Sequence, residues 1–430
     1  MVRGVRTRQH HTLLMNRGFY TILAAQFFSA LADNALLFAA IALLKTLTPQ
    51  CMSEASGECW ETPVLQQFFV FAYIVLAPFV GPFADAIPKG RVMFISNAMK
   101  LVGCLAMLGG LHPLLAYGIV GVGAAIYSPA KYGILTEYLP HDKLVLANGW
   151  MEGLTVAAII LGAIVGGWMV GPSFAPWMLD HVHLPAIASW IDTPGEVAIT
   201  TIVLIYLVAA IINLYIPRVA LDHKMPKKNP FYLLHDFVHS FKLLWRDPLG
   251  QVSLAVTTLF WGAGATLRLI VLTWAGMSLK FTPQQATQLT AVTAIGIAIG
   301  AILAAKFVSL RRSVRVLPVG IFMGLAVLAM VVVHDWKVAI VILVAIGIMG
   351  GFFVVPMNAL LQHRGHLLMG AGHSIAVQNF NENLSILVLL GLYALMVRWN
   401  FSLNLIIIAF GLLVAGVMYV LWRKHGHDQD

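Results

Sequence analysis

The chain has 430 residues, 60% of them hydrophobic and 10% charged, with a mean hydropathy of +0.85 and a net charge of +9. A soluble domain carries about 25% charged residues, so the composition excludes a water-soluble enzyme or binding module. A bilayer leaves the backbone only helices or a closed barrel, and apolar runs of helix length make this an all-α polytopic membrane protein.

Twelve runs are long enough to cross a hydrocarbon core of about 30 Å: 17–44, 64–84, 92–110, 113–138, 147–170, 197–216, 250–278, 285–308, 316–333, 338–360, 372–397 and 401–422. They divide the chain into a tail over 1–16, a six-helix half over 17–216, a connector over 217–247, a second six-helix half over 248–422 and a tail over 423–430. The first run is too long for a signal peptide and lacks an A-x-A cleavage site, so it is expected to be retained. Arg3, Arg6, Arg8, Arg17, the connector and Arg311, Arg312 and Arg315 fall on one side, whereas Lys45, Lys280, Lys337 and Arg398 fall on the other. This bias predicts that both termini are cytoplasmic. The positive net charge is then a topology signal, with anionic inner-leaflet headgroups as a secondary partner, and no nucleic acid is expected.

In the first span Asp33 is the only charge within residues 24–44. A carboxylate at that depth costs at least ~2.5–3.5 kcal/mol on insertion scales, so it should face a cavity or a partner. Asp33 and its neighbour Asn34 are assigned to substrate contact or gating; a structural charge in a buried pair is the plainer reading. The external loop that follows, TPQCMSEASGECWETP, holds Cys51 and Cys59. A disulfide between them is the expectation for an oxidising compartment, with two separate thiols as the alternative.

Residues 81–91, GPFADAIPKGR, resemble the loop between helices 2 and 3 that marks the major facilitator superfamily, through Gly81, Asp85, Lys89, Gly90 and Arg91. A helix N-terminus carries about half a positive charge. Asp85 is therefore expected to latch onto a helix of the other half, with Lys89 and Arg91 holding the loop inside. Lys100, in the third span, is expected to be structural.

The fourth and fifth spans supply Lys131 and Glu152, both toward the cytoplasmic side, which are expected to pair within the first half or to contact substrate. Arg268 lies about 18 residues into the seventh span, ~27 Å deep, and Asp33 about 16 residues into the first, ~24 Å deep. The match in depth predicts an outer gate in which Asp33 and Arg268 pair across the halves. Arg268 is also suited to phosphate, as a planar and permanently charged fork. Glu382, flanked by Asn379, Asn381 and Asn383, sits near mid-membrane and is a candidate acceptor for an ammonium headgroup or a cation.

The two halves resemble each other. GAAIYSPAKYGIL (123–135) aligns with GGFFVVPMNALLQ (350–362), placing Lys131 on Asn358; NGWMEGLT (148–155) aligns with QNFNENLS (378–385), placing Glu152 on Glu382. Parallel six-helix repeats with the substrate site between them are the arrangement of major facilitator transporters. Within that superfamily, ALADNALLFAAIALLK (30–45), FAYIVLAPFVGPFADAIPKGRVM (71–93), GVGAAIYSPAKYGIL (121–135) and ANGWMEGLTVAAIILG (147–162) closely resemble the bacterial lysophospholipid transporters.

The resemblance implies a flippase of the bacterial inner membrane. It would bring lysophospholipids such as lysophosphatidylethanolamine to the cytoplasmic leaflet, coupled functionally to a cytoplasmic acyltransferase system, and would act as a monomer. Gly153, Gly162 and Gly166 match part of a motif of proton-coupled drug antiporters, whose proline is Gly167 here, and this keeps efflux of amphiphilic drugs as the alternative. The histidines, His363 and His366 among them, fall in tails or loops without an intramembrane acidic partner, so neither a catalytic residue nor a metal or cofactor is expected.

Overall fold

The computed structural model describes residues 17–47, 61–171, 173–181, 191–218, 229–281 and 283–426. Cys51 and Cys59 lie outside the described residues; Cys104 is a free, buried thiol. The helices are α1 (Arg17–Leu47), α2 (Glu61–Ala86), α3 (Lys89–Leu108), α4 (Pro113–Tyr138), α5 (Leu144–Met169), α6 (Phe174–His181), α7 (Pro194–Leu214), α8 (Pro230–Arg246), α9 (Pro248–Ser278), α10 (Pro283–Phe307), α11 (Leu317–Leu328), α12 (Trp336–Leu368), α13 (Ala371–Arg398) and α14 (Leu403–His425). Among the described residues twelve helical segments are long and apolar enough to span a membrane. The ninth gains its length from 3₁₀ turns at both ends of α11, reaching from Leu310 to Val331.

Local signals set the helix starts. Thr193 and Glu196 form a reciprocal capping box at α7, and the side chains of Asn229, Asp247, Asp335 and Ser402 accept backbone N–H groups at the starts of α8, α9, α12 and α14. Each satisfies donors that the first helical turn leaves without a partner. Three segments differ from the sequence expectation. The connector 217–247 contains α8, and the segment 171–196, expected to be an external loop, contains α6. α12 runs to Leu368 instead of ending near 360, so His363 and His366 are helical. Its extension is held from outside, by Gln362 on Asn148 and by Arg364 on Asp247.

The two halves repeat one packing scheme. α1 packs on α5, α2 on α4 and α3 on α7; in the second half α9 packs on α13, α10 on α12 and α11 on α14. Glycines let α10 and α12 approach closely. A Cβ on Gly300 would collide with the Ile348 carbonyl oxygen, and one on Gly351 with that of Ile297. Small residues at such crossings let backbones touch where lipid offers no hydrophobic drive. Gly300→Ala should therefore lower thermal stability in detergent, by about 1–3 kcal/mol as overpacking, whereas Gly416→Ala, which meets open space, should not; equal melting of the two variants contradicts this packing.

The halves meet at the end of the bundle where α1 begins. There the Asn148 and Gln362 amides exchange hydrogen bonds at 2.9 and 2.8 Å, His141 stacks on His363, and Ser128 bonds Asn379 at 2.9 Å. α13 is almost entirely buried from Ala371 to Glu382 and increasingly exposed beyond it. The bundle is thus closed at the α1-start end and parted toward the other.

Candidate functional site

Two cavities lie between the halves, and Ile159 of α5 lines both. The first, of about 370 Å³, is polar: Gln26, Asp33 and Asn34 from α1, Lys100 from α3, Lys131 and Tyr132 from α4, Glu152 and Thr155 from α5, and Asn379, Glu382 and Asn383 from α13 face it. The second, of about 320 Å³, is walled by apolar side chains such as Phe38, Phe260, Leu267, Met323 and Phe410, and Arg268 is the only charged residue lining it among those described.

Asp33 is not paired with Arg268. Its Oδ2 accepts a hydrogen bond from Lys100 Nζ at 2.8 Å and its Oδ1 accepts one from the Tyr206 hydroxyl at 2.6 Å. Lys100 also donates to Ser29 at 3.1 Å and lies over the Tyr127 ring. Matching depth fixes position along the helix axes but not the direction each side chain takes around them. Asp33 turns toward α3 and α7 inside its own half, and Arg268 turns into the apolar cavity. Within the pair the lysine side chain is 1% exposed and the aspartate 22%, so the carboxylate is the member that meets the cavity. Arg268 is exposed and has no hydrogen bond or ion pair among the described residues.

The expected Lys131–Glu152 pair is also absent as a direct contact. Tyr132 stands between them: its hydroxyl donates to Glu152 Oε1 at 2.7 Å, and Lys131 Nζ sits 4.4 Å from the centroid of its ring. Thr155 Oγ1 lies 3.4 Å from the same ammonium and accepts from Gln26 at 3.1 Å. In the second half Gln378 Nε2 donates to Asn358 Oδ1 at 2.8 Å and to Glu382 Oε1 at 2.7 Å. Asn358 thus stands behind Glu382. Asn34, Asn381 and Asn383 donate to carbonyls of their own helices, so much of the asparagine belt is spent on backbone.

At the closed end, Asp85 accepts the backbone N–H of Gly372 at 2.7 Å and of His373 at 3.1 Å, the first turn of α13 in the other half. Gly370, with φ of +103°, makes the two-residue turn that delivers this helix start, a conformation open to glycine at little cost. Lys89 Nζ bridges Asp85 at 2.9 Å and Glu137 at 3.0 Å. Gly81 lets α2 approach the α13 backbone, and Arg91 is exposed.

Lys100, Tyr206, Tyr132 and Gln378 complete the site beyond the residues read from sequence. Lys100, expected from sequence to be structural, had a signal, since it is the only charge within residues 92–110, as Asp33 is within residues 24–44. The tyrosines had none, because aromatic residues at helical spacing read as packing.

A sequence model of the Major Facilitator Superfamily matches residues 22–388. The chain is 45% identical over 387 residues to the lysophospholipid transporter LplT of Yersinia enterocolitica serotype O:8 / biotype 1B, covering 90% of this chain and 88% of that protein. It is 46% identical over the same length, with the same coverage, to LplT of Yersinia pestis strain Pestoides F. Among solved structures it superposes on the transporter FucP in its outward conformation with a TM-score of 0.66 at 14% identity, covering 94% of this chain and 97% of that one. It superposes on the human organic anion transporter MFSD10 with a TM-score of 0.70 at 14% identity, covering 95% and 98%. The chain belongs to the Major Facilitator Superfamily, in the family of the lysophospholipid transporter LplT.

Proposed function

We propose that this protein is a flippase that takes lysophospholipids, such as lysophosphatidylethanolamine, from the outer leaflet of the bacterial inner membrane. It delivers them to the cytoplasmic leaflet for re-acylation by a cytoplasmic acyltransferase system. In this reading both termini and the α1-start end are cytoplasmic, and the chain works as a monomer. The observation that carries it is the division of the central space into a charged compartment and an apolar one that share Ile159. A single-tailed phospholipid has the same division. Its zwitterionic headgroup fits among Lys131, Asp33, Glu152 and Glu382, and its tail fits the apolar walls around Phe260 and Met323. Arg268 is then free to take the phosphate as it passes. The end parted in this structure is the outer one, where the substrate enters.

The name shared by the relatives favours this reading over efflux of amphiphilic drugs. The test is uptake of labelled lysophosphatidylethanolamine by spheroplasts with and without the chain. Excess unlabelled lysophosphatidylethanolamine should block uptake, and glycerophosphoethanolamine, which has no tail, should not. Equal inhibition by the tailless headgroup, or dye extrusion without lysolipid uptake, rejects the proposal.

A further inference from the structure

We infer that α8 is a membrane-surface helix that binds anionic phospholipid at the α1-start end. Its exposed apolar edge, Phe231, Leu234 and Val238, beds into the acyl boundary, and Lys242 and Arg246 take the headgroups.

At about 3.6 residues per turn, the side chains of α8 sort into stripes along its length. Phe237, Ser240, Phe241 and Leu244 face the bundle. There the rings of Phe237 and Phe241 meet Phe380 of α13 at 5.5 and 6.3 Å between centroids, and Leu244 packs with Leu254, Leu361 and Val377. Next to this face lie Leu234, Val238 and Phe231, which are 50%, 41% and 81% exposed. Beyond them, one turn apart, come Lys242 and Arg246. Both are exposed and make no ion pair or hydrogen bond among the described residues. The one carboxylate of α8, Asp236, is on the opposite flank, where its Oδ2 lies 3.1 Å from His373 Nε2. The basic stripe therefore has no acid of its own helix to neutralise it.

Two observations point to lipid as the occupant of this face. Phe380 is about nine residues, or ~14 Å, into α13, so α8 lies along the flank of a spanning helix rather than beyond its end. An apolar edge beside a basic one is also the layout of helices that lie in the interface, their apolar side sunk about 5–10 Å at the headgroup boundary. Lysine and arginine suit the border, since their stems cover apolar surface while their charges reach outward. Charge selects the class of lipid. Arg91, Arg218, Arg311, Arg312 and Arg423 are exposed at the same end, and such a field favours anionic over zwitterionic headgroups.

The inference needs a bilayer around the spans but no lysolipid substrate, so it stands or falls separately from the uptake assay. The full chain would be placed in nanodiscs of equal parts phosphatidylglycerol and phosphatidylcholine, with one or the other brominated along its acyl chains. An environment-sensitive label on Val238→Cys, in a background lacking the native cysteines, should be quenched by brominated lipid and shielded from aqueous acrylamide. A label on His239→Cys, at the polar edge, should show the reverse. Brominated phosphatidylglycerol should quench the Val238 site more than brominated phosphatidylcholine does. Lys242→Gln and Arg246→Gln should each lower that preference roughly fivefold, and high salt should weaken it as well. Quenching at Val238 by acrylamide and not by lipid overturns the inference. Equal quenching by the two lipids does so too, as does a preference that survives loss of both charges. If the cysteine-free background does not fold, a photo-crosslinking residue at Val238 in the otherwise native chain decides: phospholipid adducts support the inference, and adducts to a second protein overturn it.

Discussion

Asp33→Ala should abolish lysophospholipid uptake and destabilise the protein, whereas the double variant Asp33→Ala/Lys100→Ala should regain stability without regaining uptake. The single change strands the Lys100 ammonium at 1% exposure, with Ser29 and the Tyr127 and Tyr206 rings around it but no carboxylate. Removing one partner of a buried pair costs about 3–5 kcal/mol, because the other charge stays buried without compensation. Lys100→Ala alone should cost less, since Asp33 keeps the Tyr206 hydroxyl and meets the cavity. The double variant removes both charges and with them the stranded ion. Thermal unfolding in detergent and uptake in spheroplasts then separate two roles. Recovery of stability alone assigns the Asp33 carboxylate to transport. Recovery of uptake as well would reduce it to a structural charge and remove Asp33 from the site.

Arg268→Ala should show the opposite pattern. Its side chain is exposed and has no hydrogen bond or ion pair among the described residues, so stability should stay within about 0.5 kcal/mol of the parent, as for surface positions. Uptake should fall roughly 10- to 100-fold if the guanidinium supplies one charge-assisted hydrogen bond to phosphate, a contribution of about 1.5–3 kcal/mol. Arg268→Lys should recover only part, since an ammonium keeps the charge but loses the planar fork that matches phosphate oxygens. Unchanged uptake in Arg268→Ala would leave the phosphate to Lys131 alone.

The fold was legible because a bilayer restricts it so severely. Span length, the basic ends and the internal match of 123–135 with 350–362 lead to twelve helices in two halves without any knowledge of packing. The site was legible as a set of residues but not as a set of contacts. Asp33, Lys131, Glu152 and Glu382 stand out because a charge is rare at that depth, and all four line one cavity. Their partners depend on rotation about each helix axis and on side-chain reach, which linear depth does not contain. Lys100 reaches Asp33 from a neighbouring helix of the same half, and Tyr132 separates two charges that are neighbours by depth. α8 was hidden for another reason: within a polar, basic connector its apolar positions gave no run of spanning length.

Tyr132 has a consequence for the ease of docking. Oppositely charged side chains that touch satisfy each other, and an incoming zwitterion must then break their contact before it gains its own. With the phenol interposed, Lys131 and Glu152 remain oriented toward different partners, one over the ring and one on its hydroxyl. A headgroup carrying both a phosphate and an ammonium can engage the two without rupturing an internal pair. The tyrosine is in that sense a spacer that keeps the cradle from neutralising itself when it stands empty.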